Sequence, residues 1–134
     1  MDFLSPETRS RVMSRVRSEN TSPELEVRRF LHRAGFRFRL HRRDLPGKPD
    51  IVFPTLKKAI FIHGCFWHQH RYCRSGHMPK SRLEYWEPKL KANCARDETA
   101  RRELRKLGWK SITIWECRIE RDVYVARLLK FLKS

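Results

Sequence analysis

The sequence predicts an α/β protein, a central mixed sheet flanked by helices, organised as one domain over residues 1–134. Three observations carry that expectation. Stretches with apolar residues three and four positions apart alternate along the chain with short apolar runs of period two. No repeat, linker or low-complexity tract interrupts them. A length of 134 residues with 40% apolar side chains suits a single core.

The elements follow in order. Ser5-Pro6 has the form of an N-cap and a first-turn proline, opening a short Arg-rich helix over about residues 6–18. Ser22-Pro23 repeats the signal, and Val27, Phe30, Leu31 and Ala34 mark one buried helix face. Gly35 is placed to end that helix. Phe36, Phe38 and Leu40 alternate with Arg37, Arg39 and His41, the period of a half-buried strand. Leu45 to Pro49 is turn material, and Asp50 to Phe53 the next strand. Pro54-Thr55 turns the chain again, and Ala59 to Ile62 suits a central strand. From Gly64 to Lys80 there is no periodicity. Ser81 and Glu84 fit a capping box that opens a helix, which Pro88 is expected to kink and Leu107-Gly108 to end. Ile112 and Ile114 alternate with Ser111 and Thr113 as a further strand. Val125, Leu128, Leu129 and Leu132 mark a closing amphipathic helix.

Charge narrows the class of function. Lys and Arg number 31 against 15 Asp and Glu, a net charge of +16. Basic residues outnumber acidic ones in each third of the chain, so the domain itself is cationic rather than a detachable tail. A merely soluble basic surface would account for this; a polyanion-binding face accounts for it more sharply, with nucleic acid as the partner class. The Arg-rich segment 6–18 then reads as a contacting arm. Membrane binding would call for a basic amphipathic helix with an aromatic face, and no apolar run approaches the roughly 18 residues of a span. The first residues, Met1 to Arg11, lack an apolar signal segment, so a cytoplasmic protein is expected. In that compartment the four cysteines are expected to be free or metal-bound rather than paired.

The aperiodic loop carries the strongest chemical signal. Residues 63–73 read His-Gly-Cys-Phe-Trp-His-Gln-His-Arg-Tyr-Cys. Such a loop cannot bury an apolar core, so tetrahedral zinc held by thiolate and imidazole is the economical way to order it. Cys65, His70 and Cys73 supply three ligands. Cys117, at the end of a strand, is a better fourth than Cys94, which lies within a helix. Nearby, Asp50 stands where a turn feeds a strand, and a second strand ends at His63. An aspartate at one strand end and a backbone carbonyl at the next are a candidate Mg²⁺ site. His63 and His68 lie near enough in sequence to offer acid–base chemistry. Glu24 stands in the first turn of its helix, where an acidic residue also suits the helix dipole.

These residues resemble a known family. Pro46-Gly47-Lys48-Pro49-Asp50, followed by Phe61-Ile62-His63-Gly64-Cys65-Phe66-Trp67-His68-Gln69-His70, is similar to the very short patch repair (Vsr) DNA mismatch endonucleases. The similarity continues through Glu84-Tyr85-Trp86, Asn93 to Asp97, and Leu107-Gly108-Trp109 to Trp115-Glu116-Cys117. The resemblance implies a restriction-endonuclease-like fold with structural zinc. It implies an enzyme that nicks double-stranded DNA 5′ to the thymine of a T·G mismatch left by 5-methylcytosine deamination. By motif, Asp50 matches a Mg²⁺-binding aspartate, with the Ile62 carbonyl as any further contact, and His68 matches the histidine that activates water. His63 and Glu24 match accessory active-site residues, and Asp97 is a candidate to support them. The implied zinc ligands are Cys65, His70, Cys73 and Cys117, with His68 the alternative to His70. Phe66, Trp67 and Trp86 match aromatics that wedge into the duplex. Restriction-type relatives of this fold carry an acidic residue and a lysine where Phe61 and His63 stand, which favours the repair branch. The implied protein is monomeric, nucleoid-associated in a bacterial cytoplasm, and linked in function to a cytosine-5 DNA methyltransferase and other repair proteins.

Overall fold

The computed structural model describes residues 20–70, 73 and 76–134; the Arg-rich helix expected over 6–18 lies outside them. The first described helix, α1 (Ser22–Arg33), starts one residue earlier than its Ser-Pro signal suggests. Thr21 is the cap, its hydroxyl accepting from the Glu24 N–H at 3.4 Å, and Pro23 falls in the first turn, where a missing N–H leaves no bond unmade. Gly35, at φ 90°, ends the helix, and the Phe36 N–H closes back onto the Leu31 carbonyl at 3.0 Å.

Four strands follow in the spatial order β1-β2-β3-β4: β1 (Arg39–Leu40), β2 (Ile51–Phe53), β3 (Lys58–His63) and β4 (Lys110–Trp115). The first three pair antiparallel, and β4 lies parallel to β3 with Ile60 opposite Ile112 and His63 opposite Trp115. β1 is shorter than its alternation predicts. Phe36 and Phe38 precede the ladder and pack edge-on against Phe53, at 6.1 and 6.3 Å between ring centres, so their burial comes from ring packing rather than strand pairing.

The two-residue period of the strands sorts the core. Ile51, Phe53, Ile60, Ile112 and Ile114 join Val27 and Leu31 of α1 on one side. Val52, Ala59 and Phe61 face the other way, against Leu45 and against Leu104 of the long helix α2 (Leu83–Lys106). β4 runs straight into a short helix, α3 (Glu116–Glu120), that the sequence did not announce. α4 (Val125–Lys133) returns over the first face through Leu128 and Leu132.

One expectation about α2 needs correction. The Ser81–Glu84 capping box does not form: Arg82, in the left-handed region at φ 56°, precedes the first helical residue, so Glu84 falls at the second helical position, one short of where a box needs it. The helix runs through Pro88 and on to Lys106. Lys58 was not anticipated either. It is buried, and its ammonium donates to the carbonyls of Phe131, Leu132 and Ser134 at 2.9, 3.0 and 2.7 Å. It thereby satisfies acceptors at the end of α4 that the helix cannot. Among the described residues no helix is long and apolar enough to cross a membrane.

The turn that delivers β2 has no room for a side chain. Gly47 sits at φ 77°, and a Cβ there would stand 2.6 Å from the Ala100 Cβ and 3.0 Å from the Phe61 ring. Gly47→Ala should therefore lose about 2–4 kcal/mol, combining a left-handed backbone with overpacking. A urea-unfolding midpoint within error of the native protein would contradict this.

Candidate active site and metal-ligand cluster

The buried stripe of α1 has an odd member. Val27 and Leu31 belong there by spacing, but so does Glu24, only 2% exposed. A carboxylate in that position needs partners, and it has them. Arg28 donates to Oε2 at 2.7 Å, His41 Nε2 lies 2.9 Å from Oε1, and the Asn20 N–H also donates to Oε2. Asp50 faces this group from the start of β2. Ligand atoms of Glu24, His41 and Asp50 all lie within 4.8 Å of one another. The Asp50 carboxylate accepts the Ile62 N–H at 2.7 Å. Burial pushes the Asp50 carboxyl up to about 7; the Ile62 hydrogen bond opposes that rise and the Glu24 carboxylate adds to it.

A second cluster begins one residue after Ile62. His63, 6% exposed, stacks its ring on that of His68, with centres 3.7 Å apart and planes 7° from parallel. His68 Nδ1 meets Asp97 Oδ2 at 2.5 Å, and Asp97 Oδ1 stands 4.0 Å from His63 Nε2. Burial, reinforced by the neighbouring His68, holds the His63 imidazole down to about 3, so it is neutral at physiological pH. Asp50, Ile62, His63 and His68 form a wall shared by two clefts. One, of ≈ 560 Å³, continues past Thr21, Glu24, Trp67 and Glu116. The other, of ≈ 540 Å³, continues past His41, Arg43, Lys48 and Asp97. The first cleft is edged by the carboxylates of Glu24 and Glu116, and the second by Arg43 and Lys48 together with Asp97.

The third cluster joins Cys65, His70, Cys73 and Cys117, whose ligand atoms again lie within 4.8 Å of one another. His70 Nδ1 is 3.4 Å from Cys117 Sγ, and its ring stacks on Trp115 at 4.1 Å. Burial pushes the Cys65 thiol up to about 12. Three sulfurs and one imidazole are a donor set suited to Zn²⁺. His70, not His68, stands with the cysteines. Cys94 stands apart, its thiol 3.6 Å from the His68 carbonyl.

Phe66 and Trp67, on the loop between Cys65 and His68, pack on one another and on Trp86 of α2 with centres 5.3–5.9 Å apart. They are half-buried and belong to neither core cluster. The Asn93 amide holds the Trp67 carbonyl at 3.3 Å, and Lys89 lies over the rings of Trp67 and Tyr85.

Comparison with known proteins settles the lineage. The sequence model of the family described as DNA mismatch endonuclease Vsr matches residues 1–74. The chain is 55% identical over 118 residues to the type II nicking enzyme V.XorIIP of Xanthomonas oryzae pv. oryzae, covering 88% of this chain and 86% of that protein. It is 44% identical over 119 residues to the type II nicking enzyme V.NmeAIP of Neisseria meningitidis, covering 89% and 84%. It is 37% identical over 116 residues to the DNA mismatch endonuclease Vsr of Escherichia coli, covering 87% and 74%. The chain belongs to the Vsr family.

Vsr membership makes this a nuclease acting on DNA, and the mixed four-stranded sheet with its helices is consistent with a nuclease fold. Apart from Ile62, whose N–H holds the Asp50 carboxylate, every candidate site residue singled out in the sequence falls into one of the three clusters or the aromatic group. Sequence reasoning missed His41, which pairs with Glu24, and underused Asp97, which pairs with His68. No spacing rule connects His41 to Glu24, because they lie on separate elements. Glu24 did leave a trace: it falls three positions before Val27 and seven before Leu31, on the apolar stripe.

The raised Asp50 carboxyl has a consequence for stability. The fold favours the protonated form, so native protein and Asp50→Asn should be equally stable below about pH 4. The native protein should then lose ground as pH rises, until the difference levels off above about 7. In Mg²⁺-free buffer at pH 8, Asp50→Asn should be the more stable, by on the order of a few kcal/mol. Denaturation midpoints across that range check the sign; an advantage that grew toward acid pH would refute it.

Proposed function

We propose that this endonuclease nicks one strand of duplex DNA 5′ to the thymine of a T·G mismatch, the lesion left when 5-methylcytosine deaminates. The observation that carries the reading is the shared wall of Asp50, Ile62, His63 and His68 between two clefts, with Trp67 of the aromatic group next to His68 on the same loop. Facing carboxylates supply hard oxygen donors, so Asp50, with the Ile62 carbonyl and Glu24 beside it, would hold Mg²⁺. When bound, Mg²⁺ polarises the scissile phosphate and steadies charge on the leaving oxygen.

The chain's own groups do the rest. Asp97 orients His68 through Nδ1, which leaves Nε2 as the nitrogen that takes a proton from the attacking water. Asp97 also steadies the imidazolium that results. His63 fixes the plane of the His68 ring from behind. Because His63 is neutral, the stacked ring adds no positive charge to oppose that proton. Arg43 and Lys48 line the second cleft and suit the phosphate backbone. A substrate born of methylcytosine links the enzyme in function to a cytosine-5 DNA methyltransferase and to other repair proteins.

Zinc at Cys65, His70, Cys73 and Cys117 would stiffen the loop that bears Phe66, Trp67 and His68 between two of its ligands. Cys117→Ser should release about one zinc per chain and destabilise the protein, while Cys94→Ser should keep its metal. Metal content by emission spectrometry decides; equal loss from both variants would overturn the ligand set.

The decisive experiment is a short duplex panel with T·G in several contexts against T·A and C·G. Mg²⁺-dependent nicking confined to T·G is expected, and equal cleavage of matched duplexes would overturn the reading. Trp67→Ala and Trp86→Ala should fold and bind duplex normally but lose the T·G preference, since base–aromatic stacking contributes roughly 1–3 kcal/mol per ring. Loss of thermal stability with discrimination unchanged would return those rings to a purely structural role.

A further inference from the structure

His41 looks like a solvent-facing strand residue, alternating with Arg37 and Arg39. The ladder, however, ends at Leu40. His41 takes a positive φ of 47°, and its N–H donates to the Asp50 carbonyl at 3.1 Å. That conformation is uncommon for a residue bearing a Cβ, though histidine adopts it more readily than most, and here the imidazole reaches Glu24.

Hydrogen accounting fixes the direction of that contact. The Arg28 Nη2 group has two hydrogens. One goes to Asn20 Oδ1 at 2.8 Å and the other to Glu24 Oε2 at 2.7 Å. None remains for His41 Nε2, 3.2 Å away. That nitrogen therefore carries its own hydrogen and donates it to Glu24 Oε1 at 2.9 Å. With the Asn20 N–H also on Oε2, one oxygen of Glu24 is held by two donors and the other by His41. The carboxylate cannot rotate about its last bond while all three persist, and it faces Asp50.

We propose that His41 is a positioning residue: its Nε2–H locks the Glu24 carboxylate toward Asp50 and so sets how readily the centre takes up a divalent cation. The proposal rests on the reading of Asp50 and Glu24 as active-site carboxylates, and it assigns His41 no contact with DNA or cation. Partners that hold the groups around a metal in place are worth about 10- to 100-fold in metal affinity or activity.

The test compares the native protein with His41→Ala, His41→Gln, Glu24→Gln and the Glu24→Gln/His41→Ala double variant. Nicking of a T·G duplex is titrated with Mg²⁺, and Mn²⁺ binding to DNA-free protein is followed by electron paramagnetic resonance. His41→Ala should raise the half-saturating Mg²⁺ concentration about tenfold and weaken Mn²⁺ binding in step, with duplex affinity in Mg²⁺-free buffer unchanged. His41→Gln, whose amide can donate to the same oxygen, should recover most of the loss. The double variant should be no worse than Glu24→Gln alone. An unchanged cation titration in His41→Ala, or losses that add in the double variant, would overturn the proposal; additive losses would mean that His41 acts apart from Glu24, as a cation ligand would. If instead Glu24→Gln and Asp50→Ala nick like the native protein, the reading of the centre falls, and this proposal with it.

Discussion

One hydrogen bond, from the Ile62 N–H to the Asp50 carboxylate at 2.7 Å, ties the sheet to the chemistry. The paired ladder of β2 and β3 runs out at Ile51 opposite Ile60. Beyond it the Asp50 N–H still donates to the Ile60 carbonyl at 3.1 Å, and then a side chain takes the place of the next backbone acceptor. Asp50 is therefore held to β3 at both its amide and its carboxylate. Its carboxylate cannot swing out of the cleft without giving up the Ile62 N–H. Burial at this position raises the carboxyl to about 7, against the lowering effect of the Ile62 hydrogen bond. If Asp50 serves the proposed reaction, local stability and chemistry are opposed at this position, as they commonly are where a fold serves a reaction.

β3 anchors more than Asp50. Its first residue, Lys58, is fixed beneath the end of α4 and its last, His63, enters the cleft. Between them, side chains alternate to the two apolar faces, so a one-residue slip would exchange Ile60 with Phe61 and bury neither well. The parallel register to β4 then explains the third cluster. His63 lies opposite Trp115, and Cys65 and Cys117 each lie two residues beyond that pair. Two cysteines 52 positions apart in the chain (117 − 65) are thus delivered to one end of the sheet. Zinc there would act on an arrangement that the strand pairing has already brought close.

Periodicity and punctuation made most of the scaffold legible. The buried stripe of α1, the alternation of β4, and the stops at Gly35 and Gly108 are local signals with local causes, and the structure follows them except at Ala34, which caps α1 and is exposed. The clustering of His and Cys after β3 was legible because no apolar logic could order that loop. What stayed hidden depends on long-range geometry. Asp97 lies 29 residues from His68 along the chain, and its value appears only when α2 is laid across the sheet. His41 sits on the polar side of an alternating run, and a single positive φ redirects it. Ser81 and Glu84 carry the right letters for a cap, but the left-handed Arg82 decides where the helix begins. Lys58 reads as a charged strand end until the returning α4 gives its ammonium carbonyl partners.

In the proposed reading, affinity and selectivity come from separate parts of this surface. A net charge of +16 attracts any duplex through its phosphates and cannot distinguish T·G from T·A. A wobble pair stacks less well, so parting its step costs less than parting a matched one. Only groups that enter the stack can sense that difference. Phe66, Trp67 and Trp86 are packed edge-to-face or tilted on one another, outside both core clusters, so the ordering that binding would otherwise demand is largely done beforehand. Phe66 and Trp67 share one short segment, bounded by Cys65 and His70, with His68. A base step that yields to the rings therefore brings the backbone alongside the imidazole that would activate water. On these terms a matched duplex is spared because its stacking resists the rings, and the phosphate never reaches the catalytic wall.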